Sequence, residues 1–273
     1  MEQSKTERAT RTVPVRRTAA LTATPAEIQS TFRDGVHALL RGILADAERH
    51  FVLTLKRDPD HVAARINLGL VYDRRGDRDA ALRELRTAAR LEAGRPEVSL
   101  NLGAILGEMG RTGEALEYLQ RTIDLEPDSV EGRFNLGLLH YRLGRFDDAL
   151  VYLEQAGGLA PDRFEVLFYR GLIQSKRGKT TEALELLERC RSVAPRHGAT
   201  LYHLGVALCR ADRFPDGIRA LETAVQLLPM NPRVYYYLGI AYDRSGRAYE
   251  AAAAFRKAGE LRAQSSRFVD RLD

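Results

Sequence analysis

A glycine recurs every 34 residues along this chain: Gly35, Gly69, Gly103, Gly137, Gly171, Gly205 and Gly239. Three of these close the same tripeptide, Asn67-Leu68-Gly69, Asn101-Leu102-Gly103 and Asn135-Leu136-Gly137. A glycine inside a helix costs about 1 kcal/mol relative to alanine, so seven of them at one spacing require a return in packing. Placing each at position 8 of a 34-residue unit brings five more columns into line. Position 15 is Gly in six units, with Asp212 the exception. Position 20 is Ala in six (Ala47, Ala81, Ala115, Ala149, Ala183, Ala251), with Gly217 in the remaining one. Position 24 is always large and apolar, from Phe51 and Leu85 through Leu153 to Phe255, and position 27 is always small. Position 32 is Pro in five units.

The apolar positions within a unit follow helical spacing twice over, around 4 to 11 and again around 20 to 28, so each unit predicts two helices. Glycine at position 15 supplies the left-handed residue that ends helix A, and proline at position 32 closes helix B. Gly at position 8 facing Ala at position 20 would let the two helices approach nearly backbone to backbone. A single hairpin of this kind cannot bury its apolar face, so neighbouring units must stack into an all-α solenoid.

In period and in the order of small and large positions, the pattern resembles the tetratricopeptide repeat. The resemblance implies a right-handed superhelical solenoid of antiparallel helix pairs, helix A of each unit lining a concave groove. Seven units are expected, at 28–61, 62–95, 96–129, 130–163, 164–197, 198–231 and 232–265. They are preceded by a flexible basic tail over 1–27 and followed by a short incomplete cap over 266–273, where "SRFVDRLD" supplies one poor turn. That cap predicts an open last unit, exposing Phe255 and Leu261 and prone to self-association. In the sixth unit Gly217 reads as a loosening of the alanine column, so Gly217→Ala is expected to be neutral or stabilising.

Net charge is +5, from 42 basic and 37 acidic residues. This is well short of the dense field of a dedicated nucleic-acid binder. Two cysteines, Cys190 and Cys209, make neither a disulfide framework nor a four-ligand zinc site. Arg16-Arg17 has the pair of a twin-arginine signal, but Thr, Pro and Glu interrupt the apolar run that should follow, so a cytoplasmic protein without a membrane segment is expected. No HExxH pair, phosphate-cradling glycine loop or Gly-x-Ser-x-Gly elbow occurs. The expectation is a non-enzymatic protein with no catalytic residues, no cofactor and no metal.

Two ladders mark the groove side of helix A. Asn67, Asn101 and Asn135 occupy position 6 of three consecutive units, and an amide carries both donors and an acceptor for a peptide backbone. Position 13 holds Arg74, Glu108, Arg142, Lys176, Arg210 and Arg244 in successive units. Cations there complement the negative end of helix A, and the last four form an unbroken positive stripe. Beside them lie Phe134, Phe168, Tyr202 and Tyr236 at position 5, and Tyr169, His203 and Tyr237 at position 6. Aromatic and arginine side chains dominate binding hot spots. The family's carboxylate clamp for chaperone C-termini is not matched, since position 5 carries Ile66, Leu100 and Phe134 where Lys is needed. The expected function is a protein-interaction scaffold that takes an extended or helical peptide segment of a partner. The alternatives are RNA binding through the Arg and Tyr side chains, or service as an accessory subunit of an enzyme complex.

Overall fold

The computed structural model describes residues 23–269, and among these all regular structure is helical. The chain divides into two compact units, Met1–Glu92 and Ala93–Asp273. The first holds α1 (Pro25–Leu40), α2 (Leu44–Arg57), α3 (Val62–Arg74) and α4 (Arg78–Leu91). The second holds α5 (Pro96–Glu108), α6 (Thr112–Leu125), α7 (Val130–Arg142), α8 (Phe146–Leu159) and α9 (Phe164–Lys176). It continues with α10 (Thr180–Val193), α11 (Gly198–Arg210), α12 (Phe214–Leu227), α13 (Pro232–Arg244) and α14 (Ala248–Val269). From α3 onward the odd-numbered helices begin at Val62, Pro96, Val130, Phe164, Gly198 and Pro232, always 34 residues apart. Within each unit every helix packs on the next, and each odd-numbered helix also touches the following odd-numbered one.

The first helix begins earlier than residue 28. Thr24 and Glu27 form a capping box, in which the Thr24 hydroxyl accepts from the Glu27 N–H and the Glu27 carboxylate accepts from the Thr24 N–H. With Pro25 in the first turn, these satisfy donors that would otherwise be orphaned. Residues 1–22 of the expected tail lie outside the described residues. Behind α1, Phe51, Ala47, Leu68 and Val71 form the core of the first unit.

In the second unit the position 24 side chains Leu119, Leu153, Leu187 and Leu221 are at most 1% exposed. Each such leucine contributes about 1.5–3 kcal/mol of burial. The position 8 glycines make room for them. A Cβ at Gly137 would stand 2.7 Å from Leu153 Cγ, and one at Gly205 would stand 2.6 Å from Leu221 Cγ. The nearest partner of position 8 is therefore the large side chain of position 24. The position 20 backbone comes second, at 3.2 Å for the Ala149 carbonyl.

Position 15 takes the left-handed conformation in every unit, including Asp212 at φ 58°. Aspartate tolerates this region better than most residues, yet still less well than glycine. Asp212→Gly should therefore raise stability by about 0.5–1 kcal/mol. The check is a higher urea midpoint at unchanged slope; a lower midpoint would show that the Asp212 side chain holds the turn.

The C-terminal end differs from the expected poor turn. Helix α14 runs without a break from Ala248 to Val269, 22 residues against 14 in α12, so 265–269 prolong the last helix. Leu261, expected to be open, is 2% exposed, whereas Phe255 is 37% exposed. Residues 270–273 lie outside the described residues.

Candidate functional site

Helical periodicity places positions 5, 6, 9 and 13 on one face of α7, α9, α11 and α13. Because equivalent helices start 34 residues apart, their side chains fall in line, and the rings touch in sequence. Phe134 meets Tyr169 at 5.9 Å between centroids, and Tyr169 meets Phe168 edge-on at 5.7 Å. Phe168 meets His203 at 5.9 Å and His203 meets Tyr202 at 4.7 Å. Tyr202 meets Tyr237 at 5.7 Å, Tyr237 meets Tyr236 at 5.6 Å, and Tyr236 meets Phe255 at 5.8 Å. Every position 6 ring thus bridges the position 5 ring of its own helix and that of the preceding odd-numbered helix. These separations and tilts suit the edge-to-face geometry of aromatic pairs.

Most rings of the ladder are half-buried, while Tyr236 is 40% exposed under the Arg262 guanidinium. Burial raises the Tyr202 phenol above its ordinary value. Burial also lowers His203 to about 4, helped by Lys176, Arg210 and Arg233 nearby. His203 is therefore a neutral ring at physiological pH and adds nothing to the positive charge around it. Tyr141, at position 12, also belongs here: it packs edge-on against Tyr169 at 5.2 Å and on Phe146 at 5.8 Å. Position 12 holds Leu39, Asp73, Gly107, Ser175, Cys209 and Asp243 elsewhere, so a lone ring in that column was the available signal.

Three of the position 13 side chains reach back toward the preceding odd-numbered helix. Arg210 Nη1 donates to the Ser175 carbonyl at 2.9 Å and the Ser175 hydroxyl at 3.1 Å, in the last turn of α9. Arg74, in the first unit, does the same toward the Leu39 carbonyl at 3.5 Å. Arg142 lies 3.9 Å from the Glu108 carboxylate. Lys176 sits over the rings of Tyr141 and Phe146, at 6.0 and 5.3 Å. Arg244 is exposed and has no ion-pair or hydrogen-bond partner among the described residues. The stripe is thus four cations in four situations, and where it complements a helix end, that end belongs to the neighbour.

The asparagines are partly spent on their own helices. Asn101 Nδ2 donates to the Glu97 carbonyl at 2.7 Å, and Asn135 Nδ2 to the Glu131 carbonyl at 2.9 Å. In the first unit Asn67 Nδ2 donates likewise to the Ala63 carbonyl at 2.8 Å. Each amide keeps its oxygen and one N–H for other use.

Elsewhere the chemistry is quiet. Burial pushes the Cys190 thiol up to about 12 and the Cys209 thiol up to about 11, far from a reactive thiolate. No His, Cys, Asp and Glu cluster able to hold a metal occurs among the described residues, nor is any described helix long and apolar enough to cross a membrane.

A family model described as a tetratricopeptide repeat matches residues 100–164, 140–192 and 202–266, and a second one matches 62–87. No curated protein sequence matches the chain. Among solved structures, MamA from MSR-1 is 29% identical, with a TM-score of 0.55, over 63% of this chain and 98% of that one. A tetratricopeptide repeat protein from Parabacteroides merdae is 17% identical, with a TM-score of 0.61, over 86% of this chain and 93% of that one. The APC/C hetero-tetramer Cut9–Hcn1 aligns with a TM-score of 0.72 at 19% identity, over 78% of this chain and 42% of the matched one.

Proposed function

The chain belongs to the tetratricopeptide-repeat family, and from that premise we propose that it is a non-enzymatic scaffold holding a peptide segment of a partner protein along α7, α9, α11 and α13. The observation that carries this reading is the unbroken run of rings from Phe134 to Phe255. Packing alone does not call for it, since α5 carries Leu100 and Asn101 at the same positions. Half-buried rings are already ordered, so a ligand laid on them loses water without paying much side-chain entropy. Aromatic anchors of this type usually supply most of the affinity of an interface. The asparagines add grip on the ligand main chain through the groups they have left.

The test begins with affinity capture from the native host, nuclease-treated so that RNA does not bridge, followed by titration of the recovered partner. Tyr202→Ala should weaken binding by about 1–2 kcal/mol, and Asn101→Ala should do less. Undiminished affinity in the Tyr202→Ala protein would move the contact off this face.

A further inference from the structure

Two equivalent clefts of the second unit differ in a way that assigns a ligand group. Between α5 and α7, the cleft bounded by Ala104, Gly107, Glu108, Asn135 and Arg142 has a volume of only about 30 Å³. Its arginine faces a carboxylate of the same chain, Glu108, at 3.9 Å. Between α11 and α13 the matching cleft has a volume of about 250 Å³, walled by Val206, Cys209, Phe214, Tyr237 and Ile240 with Arg210 and Arg244 above. Here position 13 of the first helix is Arg210 in place of Glu108, so the built-in acid is missing. Arg210 is turned onto Ser175. Arg244 is left facing an apolar hollow with no carboxylate paired to it.

Asp212 also lines this cleft, but its backbone is fixed in the left-handed turn, and it forms no ion pair with either arginine among the described residues. Cys209 is a neutral thiol at physiological pH, so Val206, Cys209, Phe214 and Ile240 give the cleft an apolar side, and Asp212 is the acid that lines it. His203, neutral as well, does not compete for an anion.

We propose that the α11–α13 cleft is a pocket for an acidic side chain of the partner segment, Glu or Asp, with an adjoining aliphatic or aromatic side chain seated in the hollow. Arg244 is the residue that pairs with the carboxylate, as Arg142 pairs with Glu108 inside the chain. Charge complementarity selects this occupant: a cation beside low-polarity walls holds an anion more strongly than it would in open solvent. The proposal rests on the peptide-binding reading above and adds to it the chemistry of one subsite.

The experiment is selection of a random displayed peptide library on the full chain, followed by titration of the enriched synthetic peptides against variants. Enriched peptides should carry Glu or Asp next to an apolar residue. Their affinity should fall about tenfold or more with Arg244→Glu, fall less with Arg244→Gln, and weaken as salt rises. Replacing the peptide's acid by its amide should reproduce the loss on the wild-type chain and have no effect on Arg244→Gln. Peptides that lose affinity with Tyr202→Ala but bind both Arg244 variants normally would overturn the carboxylate pocket and leave the ring ladder standing as a binding face. Peptides indifferent to Tyr202 and Arg244 alike, or a library with no enrichment, would overturn both. Circular dichroism melts of the Arg244 variants guard against a folding artefact, and the isosteric amide keeps the test open should the charge reversal unfold.

Discussion

Ala149→Leu should destabilise the protein by about 3 kcal/mol, near the upper end of what overpacking a core costs. Ala149 is completely buried in α8, and its carbonyl would lie 3.2 Å from a Cβ on Gly137. The α7 backbone is that close because position 8 has no side chain and position 20 has only a methyl. Three extra carbons have nowhere to go, since Leu153 already occupies the room that Gly137 leaves. The helices must separate, and α7 then loses its hold on the leucine as well. Val151→Leu, on the solvent side of the same helix at 53% exposure, is the control and should change stability by less than about 0.5 kcal/mol. A urea midpoint for Ala149→Leu equal to wild type would mean that α7 and α8 are not packed as described.

Gly217→Ala is the second, and the structure reverses what the column suggests. Alanine is the common residue at position 20, yet a Cβ at Gly217 would come within 2.5 Å of Cys209 Sγ and 3.1 Å of the Gly205 carbonyl. The sulfur of position 12 stands where the new methyl would go, and the Gly205 carbonyl at 3.1 Å and the Cys209 backbone nitrogen at 3.4 Å confine that methyl on its other sides. The substitution should therefore cost about 2 kcal/mol. Cys209→Ala alone should cost about 1 kcal/mol for the void it opens. The double variant should be closer to wild type than the sum of the two, with a coupling of about 1–2 kcal/mol. Strict additivity in this cycle would contradict the contact.

These two substitutions also mark what the sequence could and could not tell. The alternation of small and large volumes at positions 8, 20 and 24 was visible because each column repeats under the same packing constraint. Hence the helix pairs and the left-handed turn at position 15 could be read from spacing alone. The exchange between Cys209 and Gly217 was hidden, because it trades volume between two columns that look like separate exceptions. The destination of Arg210 was equally hidden: a column shows that a cation recurs, not that it reaches 35 residues back to Ser175. Asn101 and Asn135 read as free amides until their donors were seen on Glu97 and Glu131. The aromatic residues of α7, α9, α11 and α13 were legible one by one. Their continuity was not, because it depends on a position 6 ring from one helix reaching the position 5 ring of another.

That continuity has an optical side. The chain contains no tryptophan, so its near-ultraviolet signal comes from eleven tyrosines and nine phenylalanines. Tyr141, Tyr169, Tyr202, Tyr236 and Tyr237 all belong to the ladder, each in a fixed and asymmetric orientation against another ring. Their electronic transitions are close enough to couple, and excitation absorbed by one phenol can pass to the next before it is emitted. A segment settling over any rung would therefore disturb the light from several, and the unlabelled chain carries its own reporter along the face where a ligand is proposed to lie.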